Sequence, residues 1–160
     1  MNATSIGKRY PSAPRRRRTH PSRMRISKVP LPVVWGLVGG AGVAASPLGF
    51  WWLPPATVYA CGLILIASVY IGFSVADGRP KVIAVEVGVA TAFVVIAAMA
   101  ITGPAWLLVA GLTGHGLKDF WQHRTHFVAN TRWWPPFCAT VDWVAAAVLA
   151  AAITTGVNLT

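Results

Sequence analysis

Residues 77–101 read DGRPKVIAVEVGVATAFVVIAAMAI. A polar, proline-containing turn gives way to an apolar run from about Val82 to Ile101, in which Glu86 is the single charged residue. A helix of roughly 20 such residues crosses about 30 Å of hydrocarbon. In lipid the backbone has no water to bond with, so a lone apolar run must be a helix; an isolated strand would leave its edges unsatisfied. The run therefore predicts a membrane-spanning helix.

Four further runs flank it. The first extends from about Pro32 to Leu53, the second from about Ala56 to Ala76, the fourth from about Ala105 to Trp121 and the fifth from about Phe137 to Val157. The breaks between them are built of Pro, Gly and charge, which end helices by removing amide donors, loosening the backbone or demanding water. Gly36, Gly39, Gly40 and Gly42 loosen the first run, and the second half of the fourth is polar. Of the 160 residues, 55% are hydrophobic and 11% charged, with a mean hydropathy of +0.57. That is more apolar surface than a small water-soluble core needs. The expected fold is all-α: a polytopic membrane bundle of five transmembrane helices over residues 31–160, preceded by a basic tail over residues 1–30.

Charge placement fixes an expected orientation. The 14 Lys and Arg fall before Pro30, at Arg79 and Lys81, and at Lys118, Arg124 and Arg132. With five spans these places share one side, while the loops near 53–57 and 101–104 and the last five residues carry no charge. The positive-inside rule then puts the N-terminus inside and the C-terminus outside, as a multi-pass protein of the cell (inner) membrane. The tail, with Arg15 to Arg18 and several Pro and Ser, lacks the apolar content to fold alone and is expected to be disordered and to touch anionic lipid headgroups. Nucleic-acid binding would suit the formal charge of +10, but the tail offers one aromatic, Tyr10, and no fold to position base contacts. A twin-arginine export signal does not fit, because the apolar run starts well after the Arg cluster and four more spans follow.

Cys61 and Cys138 are expected near opposite membrane faces, so no disulfide joins them, and no CxxC pattern exists. Gly36 and Gly40 form a GxxxG that lets helices approach backbone to backbone, either within the chain or in a homo-oligomer. Trp51 and Trp52 on one side, and Trp121, Trp133 and Trp134 on the other, suit the two membrane interfaces.

The four acidic residues, Asp77, Glu86, Asp119 and Asp142, all lie toward the basic side. A carboxylate facing lipid costs a few kcal/mol, so Glu86 and Asp142 should face the bundle interior, a partner or water. His115, Asp119 and His123 are spaced four apart and share one face of the fourth helix; Cys138 and Asp142 repeat that spacing on the fifth. His115 and His123 are about 12 Å apart along the axis, too far to bind one ion. The expected metal ligands are therefore Asp119 and His123, completed by Asp142 or Glu86, around one divalent zinc, manganese or iron ion. His115 would move protons, with Asp119 and Glu86 as further catalytic candidates. The same residues also read as a hydrogen-bonded structural clamp, neutralised by Lys118, Arg124 and Arg132.

Several metal and hydrolase patterns are excluded. Four histidines with a single HxxH, His123 to His126, cannot supply a di-iron desaturase or hydroxylase site, and the three in the fourth segment are not placed as axial haem ligands on facing helices. No Walker loop, GxSxG or HExxH is present. The segment from His115 to Asp142, with HGLKDFWQHR and WWPPFCATVD, resembles small uncharacterised bacterial multi-span membrane proteins that pair an H-x3-D-x3-H helix with a W-x-P-x-x-C-x3-D re-entry. That resemblance implies a multi-span fold with a shared polar site and no particular reaction. The function expected is metal-assisted chemistry on a membrane-embedded or amphipathic substrate; a small proton-coupled transporter and a non-catalytic subunit of a membrane assembly are the alternatives.

Overall fold

The computed structural model describes residues 30–129 and 131–159. The expected basic tail lies outside the described residues, apart from Pro30. The described chain folds into five helices and no strand: α1 (Leu31–Gly49), α2 (Pro55–Asp77), α3 (Pro80–Thr102), α4 (Trp106–Thr125) and α5 (Trp134–Thr154). Proline opens α1, α2, α3 and α5. In the first turn its missing N–H has no partner to lose and its fixed φ already suits a helix. The fifth run, expected from about Phe137, therefore starts earlier, with Pro135 and Pro136 in the first turn of α5. Gly78, at φ 78°, closes α2. The expected first run to Leu53 stops early, at Gly49, and Phe50, Trp51 and Trp52 form an exposed aromatic turn.

α1, α2, α3 and α5 are long and apolar enough to cross a membrane by length and composition. α4 is less apolar, because its second half carries His115, Lys118, Asp119 and Gln122. Connectivity nevertheless carries it through the bundle. Asp77, at the end of α2, accepts the Ala129 N–H at 2.7 Å, and Arg79 donates to the Phe127 carbonyl at 2.7 Å. This staple joins the α2–α3 turn to the α4–α5 connection at one end. At the other end the Ala56 N–H donates to the Leu159 carbonyl at 2.9 Å. α4 must therefore run from end to end. Arg79, Lys81, Arg124 and Arg132 gather at the stapled end, called the basic end below.

The burial pattern is that of a chain whose solvent is lipid. Val38, Leu65, Val95, Met99 and Val148 point outward, whereas Glu86, His115, Asp119, Gln122 and Asp142 are almost completely buried. A water-soluble bundle places these classes the other way round. α5 packs against both α1 and α4, α2 packs against α3, and α4 also meets α3 and α2.

The GxxxG of α1 is used within the chain. A Cβ on Gly36 would stand 2.6 Å from the Thr140 Cβ, and one on Gly40 would stand 2.6 Å from the Val144 Cβ. Pairing with another copy through this face would have to displace α5. Gly40→Val is expected to destabilise the bundle by about 1–3 kcal/mol through overpacking. Gly42→Ala, with nothing within 4 Å, should be close to neutral. Reversible unfolding in mixed micelles measures both, and equal effects would show that the α1–α5 contact does not depend on the glycines.

Candidate functional site

α4 organises the site. Its buried residues are Leu108, Gly111, Leu112, His115, Gly116, Asp119 and Gln122. From His115 this stripe steps four residues to Asp119 and then three to Gln122, the alternation that keeps one helix face on its neighbours. The expected ligand His123 is therefore turned aside and exposed. His126 does not continue the helix either: it caps α4 in the left-handed region at φ 52°, and its N–H bonds the Gln122 carbonyl at 2.8 Å.

Asp142 of α5 meets this stripe. The His115 Nδ1 lies 2.8 Å from Asp142 Oδ2 and 3.6 Å from Asp119 Oδ2, with all three side chains fully buried. One ligand atom from each lies within 4.8 Å of the other two. Ligands around a tetrahedral zinc ion at about 2.0–2.1 Å stand roughly 3.3 Å apart, so the group needs only a small adjustment to surround an ion. The structure thus brings Asp119 and Asp142 together with His115, and leaves His123 apart from them.

Several donor atoms remain available. His115 Nε2, both Asp119 oxygens and Asp142 Oδ1 are buried without a hydrogen-bond partner among the described residues. Buried polar groups in folded proteins are almost always satisfied, so a cluster of unsatisfied ones calls for water, protons or an ion. Aromatic rings wall the imidazole: Phe93 of α3 at 5.0 Å and Tyr70 of α2 at 6.0 Å between centroids, both edge-on. The Tyr70 hydroxyl sits beside the Asp119 carboxyl.

Glu86 belongs to a second, adjacent group. Its carboxylate pairs with Lys118 at 2.7 Å and accepts a short hydrogen bond from Gln122 Nε2. The Lys118 ammonium also lies 3.3 Å from the centroid of the Tyr70 ring, an arrangement stabilised by the ring quadrupole. Glu86 therefore neutralises Lys118 and does not complete the His115, Asp119 and Asp142 group. Cys138, one turn before Asp142, is buried nearby and is not among the three.

Tyr70 and Gln122 carried no functional expectation. Gln122 had a usable signal, three residues after Asp119 on a helix. Tyr70 had a weaker one, a hydroxyl deep in an apolar span that needs a polar neighbour.

Comparison with protein-family models, curated proteins and solved structures finds no match to this chain. The functional reading consequently rests on the geometry alone.

Proposed function

We propose that this chain is a multi-pass membrane protein that holds one divalent metal ion on His115, Asp119 and Asp142, for metal-assisted chemistry on a membrane-embedded or amphipathic substrate. The observation that carries the reading is the convergence of unpartnered ligand atoms: one from each of His115, Asp119 and Asp142 lies within 4.8 Å of the other two, and His115 Nε2, both Asp119 oxygens and Asp142 Oδ1 have no hydrogen-bond partner among the described residues. Two buried carboxyls with unpartnered oxygens are costly to keep, and a divalent cation would match both in number and position once they release their protons to it. One nitrogen and two carboxylates suit zinc, manganese or iron. Three protein ligands leave coordination positions free, where a bound ion would polarise a substrate oxygen or activate water. The chain's own part is to hold the ligands rigid, exclude water with Phe93 and Tyr70, and keep Lys118 tied to Glu86 so that it does not repel the ion.

The basic end faces the cytoplasm in this reading, by the distribution of Lys and Arg. The proton-coupled transporter receives less support. The buried polar residues run from mid-depth to the basic end, whereas the opposite half is filled by Leu63, Leu108, Leu112 and Leu149, each no more than 1% exposed. A transport path would have to open that apolar half.

Elemental analysis of the purified protein, loaded with zinc, manganese or iron(II) and passed through a desalting column, tests the proposal. About one ion per chain is expected in the wild type and in His123→Ala, with a loss of at least tenfold in Asp142→Asn. A folded wild type that retains none of the three ions would overturn it.

A further inference from the structure

We infer that the cleft between the end of α4 and the start of α5 binds the phosphate of an anionic lipid headgroup, through Arg132 and His126. The cleft has a volume of about 860 Å³ and is lined by His126, Thr131, Arg132 and Trp133, with Val128 and Ala129 between them. Hydrogen bonds tie parts of its lining and flanks to the bundle. Ala129 is tied to Asp77, Phe127 to Arg79, the Thr131 hydroxyl donates to the Val128 carbonyl at 3.0 Å, and the Trp134 N–H donates to the Thr131 carbonyl at 3.0 Å.

Charge in the cleft is unbalanced. Arg132 is exposed and forms no ion pair among the described residues. The acid at this end, Asp77, is taken by Arg79 through paired contacts of 2.5 and 2.7 Å. The other three acids lie in the buried groups described above, so no carboxylate competes for Arg132. Pro135 and Pro136 remove amide donors from the first turn of α5. The cationic and imidazole side chains that line the cleft are those of Arg132 and His126, and a guanidinium suits a phosphate particularly well.

Position selects a lipid as the source of that phosphate. Trp133 stacks on Phe137 at 5.0 Å and 20°, and Trp134 lies against the same ring at 5.4 Å. Such aromatic groups occupy the headgroup level of a bilayer. The cleft opens beside them, at the end of helices that span the hydrocarbon, where phospholipid phosphates lie.

Native mass spectrometry of the full chain, titrated with phosphatidylglycerol or phosphatidylcholine, measures the binding. Hydrogen exchange of residues 126–133 locates it. Arg132→Gln should weaken phosphatidylglycerol binding about fivefold, the usual effect of one cation at a charged lipid surface, and should abolish the lipid-induced protection of this segment. Lys81→Gln, an exposed cation at the same end but outside the cleft, should change neither, and phosphatidylcholine should give no protection in any variant. Equal losses from both substitutions would reduce the effect to diffuse charge attraction and overturn the inference. Displacement of the lipid by millimolar inorganic phosphate would make this a small-anion site and would also overturn it.

Discussion

Lys118→Met is expected to destabilise the bundle by about 3–5 kcal/mol, because it strands the Glu86 carboxylate in the interior without its counter-charge. The Glu86 side chain is 1% exposed and that of Lys118 12%, so little water reaches either group to soften the loss. Glu86→Leu should cost a similar amount by leaving the ammonium unpaired, although the Tyr70 ring retains part of the cation's stabilisation. The double variant should recover most of either loss, since an apolar pair of similar size is about neutral or better in such a site. Equilibrium unfolding in mixed micelles, arranged as a double-mutant cycle, reads the coupling directly. A cost under about 1 kcal/mol for Lys118→Met would instead place the pair among solvated surface bridges. A second cycle, Lys118→Met with Asp119→Asn, tests the His115 group separately: a coupling there well below that of Lys118 with Glu86 means that Glu86 is the main counter-ion of Lys118, a condition on which the proposed ion site depends.

The architecture was open to inspection in the sequence because lipid imposes strict rules. A run such as Val82 to Ile101 has one way to satisfy its backbone, and a Glu86 or Asp142 within such a run has one direction in which to avoid hydrocarbon. Those rules act on the chain itself and need no knowledge of its neighbours. The choice between His123 and Gln122 as the next buried residue after Asp119 is different. Steps of three and four residues both remain near one helix face, and the position of α3 and α5 around α4 decides between them. Glu86 likewise reads as a free acid until α3 is set against α4, where Lys118 and Gln122 capture it. The GxxxG of Gly36 and Gly40 announces a close helix contact, but only the fold shows that α5 supplies it. The start of α5 at Trp134 has a simpler origin: two prolines end a helix when they follow it and begin one when they precede it.

Metal dependence of stability should separate an ion site from a structural clamp. A ligand that binds the folded state alone stabilises it by about 2.7 kcal/mol at 100 times its dissociation constant. The wild type, unfolded at rising concentrations of the ion it retains, should gain stability in that logarithmic manner. The double substitution Asp119→Asn and Asp142→Asn keeps the shape of both side chains and removes both negative charges. If the cluster is built for an ion, this variant should be at least as stable as the metal-free wild type, because it no longer buries two carboxyls whose ligand atoms stand within 4.8 Å of each other, and added metal should not stabilise it. A clamp gives the opposite pattern. Its stabilisation would come from the charge-assisted contact between His115 and Asp142 at 2.8 Å, so the double variant would lose stability and the wild type would ignore metal. The two models therefore differ in the sign of the substitution effect as well as in the metal dependence, and a single set of unfolding curves contains both.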